Sequence, residues 1–409
     1  MQIIGINGSF IRKPASGIGQ VSWHFIKTLI RGEIFPVIRP LEVQWSNHWK
    51  DTKFIIYLEE VLSGDFDKKN IPENIEFKVI KGWYKRDDLI RKILWEKFWL
   101  PRQIKKDKCQ TFLSLYQATT ILPKYIKHIM FVHDVVPKIF PKYLNNVRKK
   151  IYYKLVDRAI EQITQIITIS KFSQKEISRI YKINLEKIKV VYIACDSIFK
   201  KEVTVNQKEK ILAKHNLKVV DAYIFNFGGA DIRKNVERVI KAYGKLASEI
   251  ENIPKLVIGG EFHKHLVPLV TDVERVITEV VEKYQLDKNL FKTIGFVEQE
   301  DLPALYQSAE VFIYPSLYEG FGMPILEGMV SKIPVVTSNT TSIPEVISER
   351  AGYLVDDPTN INEIKTQLKN ALTDTLESRQ QKISLAFAES QKFSWEKFTN
   401  QILEVVLKN

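Results

Sequence analysis

Short apolar segments rich in β-branched and aromatic residues recur along both halves of the chain, interleaved with stretches of helical spacing. In the first half they are Gln2–Ile6, Lys53–Leu58, Glu76–Ile80, Thr111–Leu115, Ile129–Val132, Ile166–Ile169 and Lys189–Ile193. In the second half they are Tyr223–Phe227, Lys255–Ile258, Phe291–Gly295, Val311–Tyr314 and Pro334–Thr337, with a helical stretch between each pair. Strands that alternate with helices are joined by crossovers, so neighbouring strands run parallel and helices cover both faces of the sheet. The alternation is laid down twice, and 409 residues exceed the roughly 100–200 of one domain. The expectation is an α/β chain with two doubly wound domains facing a central cleft. The lysine-rich segment 196–220 reads as the linker between them, and Trp395 to Leu407 reads as a final amphipathic stretch with no strand after it.

Composition excludes several classes. Hydrophobic content of 45% and charged content of 27% fit a globular chain rather than a disordered one. Cys109 and Cys195 are too few for a disulfide framework and lack metal-ligand spacing, which suits a reducing cytoplasm and predicts no metal site. No basic leader followed by an apolar stretch opens the chain, and no run of 18 apolar residues exists, so a signal peptide and a membrane span are not expected.

The net charge of +13 is uneven. Residues 1–195 hold 35 Lys and Arg against 18 Asp and Glu, or +17, while 196–409 hold 26 against 30, or −4. The basic half therefore predicts a membrane-surface, nucleic-acid or anionic-substrate face, among which charge alone does not choose. Between Lys81 and Lys108 it carries Trp83, Trp95 and Trp99. A helix with Leu94, Trp95, Phe98 and Trp99 on one side would either lie at a membrane interface or pack its aromatics on the sheet.

Four motifs carry candidate chemistry. Glu319-Gly-Phe-Gly-Met-Pro-Ile-Leu-Glu327 follows the apolar segment Glu310–Pro315, with Pro324 suited to a first helical position. It sets two carboxylates around a glycine-rich turn at a helix mouth, where free backbone N–H groups favour an anion. Glu319, in the loop, is placed to accept from sugar hydroxyls. Glu327, expected in the helix first turn, suits either a ribose diol or simple complementarity to the helix dipole. Phe227-Gly-Gly-Ala-Asp-Ile-Arg-Lys-Asn-Val places Arg233 and Lys234 beside Gly228 and Gly229, and two cations there match a diphosphate. Ser16-Gly-Ile-Gly19 supplies a tight turn after the first strand, and His133-Asp134 follows Ile129–Val132 at a strand's carboxyl end.

Together these residues resemble the retaining nucleotide-sugar glycosyltransferases of family 4, over most of the chain. The Glu319–Glu327 pair with seven residues between, preceded by Tyr-Pro-Ser, carries the resemblance most strongly. Gly228-Gly229 with Arg233-Lys234-Asn235, and Gly295-Phe-Val with Leu302-Pro-Ala-Leu-Tyr306, add to it. Ser16 and Ala194-Cys195-Asp196 depart from the family pattern. The resemblance implies a GT-B fold: a Rossmann-like acceptor-side domain over 1–195, a nucleotide-sugar-binding domain over 196–385, and a C-terminal helix over 386–409 packing back towards the first domain.

It further implies that Arg233 and Lys234 hold the donor diphosphate, Glu327 the ribose and Glu319 the transferred sugar. Phe321, Gly322 and Met323 would line the donor near its phosphates, Gly229 would border it and Val297 would lie near the base. Gly17 and Gly19 would face the donor, and His133 would sit near the reacting carbon. No metal or other cofactor is implied; the catalytic set is Arg233, Lys234, Glu319 and His133. The motifs look most like mannosyltransferases of bacterial surface-polysaccharide assembly, with GDP-mannose as donor and a UDP-sugar as the alternative. A nucleotide-sugar epimerase of the same architecture is a further alternative. The expected partners are a glycan or lipid-linked oligosaccharide acceptor and, through the basic half, an anionic membrane surface, with no nucleic acid. The expected location is cytoplasmic, peripheral on the inner face of the plasma membrane.

Overall fold

A computed structural model describes residues 1–13, 16–31, 51–60, 71–82, 87–261 and 269–408. Trp83 lies outside the described residues. The chain divides into two units: one of Met1–Ile193 with Ser394–Asn409, the other of Ala194–Phe393.

In the first unit seven strands form one parallel sheet: β1 (Gln2–Asn7), β2 (Thr52–Leu58), β3 (Ile75–Val79), β4 (Thr111–Ser114), β5 (Lys127–Phe131), β6 (Gln165–Thr168) and β7 (Ile188–Val190). Their order is β3-β2-β1-β4-β5-β6-β7. In the second, β8 (Tyr223–Phe227), β9 (Lys255–Gly259), β10 (Phe291–Gly295), β11 (Val311–Tyr314), β12 (Val335–Ser338) and β13 (Tyr353–Val355) form a parallel sheet in the order β10-β9-β8-β11-β12-β13. Each sheet reverses its winding direction once, between β1 and β4 and between β8 and β11. Such switch points open a crevice at the carboxyl ends of the strands. Every expected strand is present, with ends moved by three residues at most.

The cores follow the patterning. In the second unit, Val239, Ile240 and Tyr243 of helix Val236–Ala247 and Val276, Ile277 and Val280 of helix Val273–Tyr284 pack with Ile224, Leu256, Ile258 and Val311 of the sheet. In the first, helix Trp395–Leu407 lies on helix Gly17–Arg31. The Trp395 indole stacks on His24 at 4.4 Å, and Phe398 meets Phe25 edge-on at 6.4 Å. Residue 386 falls within helix Leu376–Ser390, and the division between units comes after Phe393.

Two expectations need correction. The segment 196–220 is not a plain linker: helix Val205–Lys214 forms inside it, started by a capping box in which Thr204 and Gln207 satisfy each other's backbone N–H groups. Leu212 anchors it in the core, and Lys214 pairs with Asp301 at 2.5 Å. The tryptophan-rich stretch does not present its aromatics as one outward face. It runs as helix Asp88–Leu94, a π-helical turn Trp95–Trp99 and helix Leu100–Lys106. The wide turn rotates Trp95 inward, where it packs with Tyr57, Ile104 and Phe112 and donates Nε1–H to the Ile80 carbonyl at 3.0 Å. Phe98 alone of the four stays largely exposed. Among the described residues no helix is long and apolar enough to cross a membrane.

Candidate active site

At the carboxyl end of β8 the chain turns through Gly228 and Gly229 at φ +142° and +79°. A Cβ on Gly229 would stand 2.8 Å from the Glu261 carbonyl oxygen, and one on Gly260 only 2.2 Å from the Gly229 nitrogen. The turns after β8 and β9 thus press together as only glycines permit. Next comes a short turn, Ile232–Lys234, capped by Asp231. Its carboxylate accepts from the Arg233 backbone at 2.9 Å and grips the guanidinium through Nε at 3.2 Å and Nη2 at 3.1 Å.

Asn235 then adopts the left-handed conformation, φ +63°, and its buried Nδ2 donates to the carbonyls of Pro315 at 2.8 Å and Pro358 at 2.6 Å. Leu317 N–H donates to the Arg233 carbonyl at 2.7 Å. Three hydrogen bonds therefore lock the basic turn onto the loops after β11 and β13, across the switch point.

In the loop after β11, one oxygen of Glu319 receives two donors: Lys234 Nζ at 2.8 Å and the Tyr314 hydroxyl at 2.9 Å. The Lys234 ammonium also lies over the Tyr314 ring, 5.1 Å from its centroid. Burial, and then the neighbouring Glu319 charge, hold the Tyr314 phenol well above its ordinary range, so it stays protonated and donating. Ser342 Oγ donates to the Glu319 carbonyl at 2.9 Å, fixing the loop backbone.

Gly322, at φ +106°, opens helix Met323–Val330, with Pro324 second in it. A side chain there would be strained by the backbone and would meet Ile343 at 2.9 Å. Glu327 is not in the first turn, as the sequence had suggested, but one turn further in and 6% exposed. Dipole complementarity therefore does not account for it, since that effect fades beyond the first turn. Burial pushes its carboxyl up to about 7, opposed by the Tyr306 hydroxyl at 3.0 Å and by the Lys234 charge, with the Asp196 charge acting in the same sense as burial. Buried Cys195 faces the same group, and its thiol is raised to about 12 by burial and then by Glu327.

Phe321 packs edge-on against Phe393 at 5.3 Å and is 2% exposed, so its backbone is what it can offer a ligand. Val297 is buried and Met323 half-buried. Tyr306, Tyr314 and Asn235 were not picked out as site residues from the sequence. The tyrosines precede or flank the glutamate motif, but only the fold brings their hydroxyls onto it.

The first unit holds the remaining expected residues. Ser16 Oγ accepts from Gly19 N–H at 3.1 Å, starting helix Gly17–Arg31, and donates to the Lys13 carbonyl at 2.8 Å. A Cβ on Gly19 would lie 1.8 Å from that carbonyl oxygen, whereas one on Gly17 would meet open space. Gly19 is thus required by local packing and Gly17 is not. His133 is not at the surface. It is 5% exposed, stacked on Phe131 at 5.4 Å, with Nε2 3.0 Å from the Leu115 carbonyl. A carbonyl only accepts, so Nε2 carries the hydrogen and Nδ1 is the free acceptor. Burial pulls its pKa down, against the Leu115 carbonyl and the Asp134 charge, which keeps the ring neutral. Among the described residues no three His, Cys, Asp or Glu side chains converge as a metal site.

Residues 207–386 match the family described as Glycosyl transferases group 1. The O-antigen chain mannosyltransferase B of Escherichia coli is 33% identical over 273 residues, 66% of this chain and 68% of that protein. The chain belongs to the group 1 glycosyltransferases.

The Escherichia coli serotype-specific mannosyltransferase WbdA is 29% identical over 271 residues, again 66% of this chain but only 32% of the relative's own length. Among solved structures, WaaG, a glycosyltransferase involved in lipopolysaccharide biosynthesis, superposes over 100% of both chains with a TM-score of 0.69 at 16% identity. That likeness bears on the fold alone, the GT-B arrangement of two parallel-sheet units. In this group 1 glycosyltransferase the matched segment contains the whole Arg233–Lys234–Glu319–Glu327 cluster and most of the second unit.

Proposed function

We propose that the protein transfers mannose from GDP-mannose to a hydroxyl of a glycan acceptor, with retention of configuration, in surface-polysaccharide assembly. The observation that carries the reading is the Lys234–Glu319 pair beside Arg233 at the β8/β11 switch point, in a chain similar to O-antigen mannosyltransferases. A diphosphate leaving group accumulates negative charge as the glycosidic bond breaks. Arg233, held by Asp231, and Lys234, held by Glu319, are fixed cations that stabilise that charge without reorganising. Glu319 accepts from hydroxyls of the transferred sugar, and Glu327 from the ribose diol when ionised. The backbone of Gly229 and of the Gly322–Met323 helix start approaches the phosphates, and Val297 the base. The acceptor hydroxyl attacks from the face the diphosphate leaves, so no protein nucleophile and no metal are needed.

The +17 of residues 1–195 supports an acceptor carried on a lipid at an anionic membrane surface. Exposed Phe98, with Lys97 and Arg102 each within 6.0 Å of its ring centroid, supports the same reading. The test is product analysis with GDP-mannose and UDP-sugars against a lipid-linked mannoside. Transfer of mannose from GDP-mannose into an α-linkage is the expected result. Transfer only from a UDP-sugar, a β-linked product, or epimerised donor without acceptor would each sink it.

A further inference from the structure

Glu319 is held by its backbone as well as by its side chain. Lys234 and the Tyr314 hydroxyl donate to one oxygen of its carboxylate. Ser342 Oγ donates to its carbonyl at 2.9 Å, and its own N–H donates to Thr341 Oγ1 over a longer 3.4 Å. Charge neutralisation needs Lys234 alone. Two of the other contacts require something unfavourable of the chain.

The first comes from Tyr314, which is fully buried at the end of β11 with its ring stacked on Phe312 at 5.8 Å. A phenol there must find a partner for its hydroxyl, whereas phenylalanine would pack without one. The ring also fills the space in front of Gly228, where a Cβ would stand 2.9 Å from Tyr314 Cε2. The tyrosine therefore demands a glycine in the turn after β8 as well as a buried acceptor.

The second comes from Thr341, in the turn after β12, which takes the left-handed conformation at φ +59°. A β-branched residue is a genuine outlier there, and such strain gathers at ligand sites and persists where the surroundings over-determine it. Glycine would relieve the strain and would remove the hydroxyl that accepts from the Glu319 N–H.

A carboxylate that only balanced Lys234 would need neither feature. One that must tell hydroxyl directions apart needs its side chain and backbone fixed before the ligand arrives, because a loose acceptor follows whichever hydroxyl is offered. We propose that Tyr314 and Thr341 are positioning residues for the sugar end of the donor, which act through Glu319 to set which hexose is accepted. The inference rests on the reading of Glu319 as the partner of the transferred sugar.

The test compares stabilisation by GDP and by GDP-mannose in thermal unfolding, and kcat for transfer from GDP-mannose and GDP-glucose, in the wild type, Tyr314→Phe, Thr341→Gly and Glu319→Gln. Tyr314→Phe keeps the ring beneath Lys234, and Thr341→Gly should unfold at the wild-type midpoint or above it. In both variants the response to GDP should be unchanged, while the additional response to GDP-mannose shrinks. Their kcat with GDP-mannose should fall about tenfold, the scale of one hydrogen bond to a charged group, and the preference over GDP-glucose should narrow. A residue needed only for folding would lower the midpoint and both ligand responses together, and that result would overturn the proposal. A variant that keeps the wild-type kcat and GDP-mannose increment removes its residue from the role, and if Tyr314→Phe does not fold, Thr341→Gly decides on the same readings. If Glu319→Gln loses the increment while the other two keep it, the proposal falls and Glu319 keeps its assignment. If Glu319→Gln itself keeps the increment, the assignment of Glu319 falls and the proposal with it.

Discussion

Lys234 and Glu319, 85 positions apart in sequence, meet at 2.8 Å, and Tyr314 donates to the same carboxylate oxygen from 2.9 Å. The pair is more than an ion pair in a crevice. It binds the basic turn after β8 to the glutamate loop after β11, so the cation proposed for the phosphates and the carboxylate proposed for the sugar set each other's position. Removing Lys234 therefore removes a charge and one of the two donors to Glu319, whereas removing Arg233 leaves both donors in place.

Arg233→Ala and Lys234→Ala should each lower kcat by about two to three orders of magnitude, the scale for losing one preorganised stabiliser of transition-state charge. Lys234→Ala should also raise donor KM more than Arg233→Ala does. Steady-state kinetics with both variants checks this, and near-normal turnover in both would remove the assignment.

The loop contacts of Asn235 carry a stability prediction. Asn235→Ala deletes donors to two buried carbonyls and places alanine in a left-handed conformation that asparagine tolerates better. The expected loss is about 2–4 kcal/mol in denaturant unfolding, with a fall in kcat because the Arg233–Lys234 turn loses its tether. A variant with full stability would show that the tether is dispensable.

Glu327 gives the pH dependence. Its carboxyl titrates near 7 in the folded protein against about 4.5 for an unperturbed one. The folded pKa is raised, so the contribution is fully present below the unfolded value and is lost as pH rises through 7. Between about pH 4.5 and 7 the wild type should lose stability relative to Glu327→Gln. Donor affinity should move the other way, rising as pH goes from 6 to 8 because a ribose diol needs the ionised form, and Glu327→Gln should bind weakly with a flat profile. Titrating GDP-mannose binding across that range checks the sign. Of the groups facing Glu327, the Tyr306 phenol and the Cys195 thiol are both pushed up by burial and stay protonated across that range.

Trp95→Ala distinguishes core packing from membrane contact in the basic half. Trp95 is fully buried and hydrogen-bonded to Ile80, so its loss should destabilise by about 3–5 kcal/mol in the absence of any lipid. A variant as stable as the wild type would restore the interfacial reading.

The strands were legible because each is a compact run rich in apolar, β-branched and aromatic residues, several of them ended by glycine, proline or a charged residue. Tyr353–Val355 escaped notice because it is three residues long and, unlike Ile188–Val190, is not continued by a further apolar run. Helix Val205–Lys214 was hidden by its lysines, since Leu212 is its one buried residue and its evidence is the Thr204–Gln207 cap. The candidate site was legible as separate motifs: the Arg233–Lys234 turn and the Glu319–Glu327 loop each announce themselves locally. What the sequence could not supply was their joining. The setting of Glu327 depends on Tyr306 from another helix. Distances of that kind come from packing and leave no periodic trace.

The central claim is tested most directly by thermal unfolding of the wild type and the Arg233→Ala/Lys234→Ala double variant against a panel of GDP- and UDP-sugars. A ligand that binds the folded state raises the midpoint by mass action. GDP-mannose should raise the wild-type midpoint more than any UDP-sugar and leave the double variant unmoved. No shift with any nucleotide-sugar, or an equal shift in the double variant, would contradict the account.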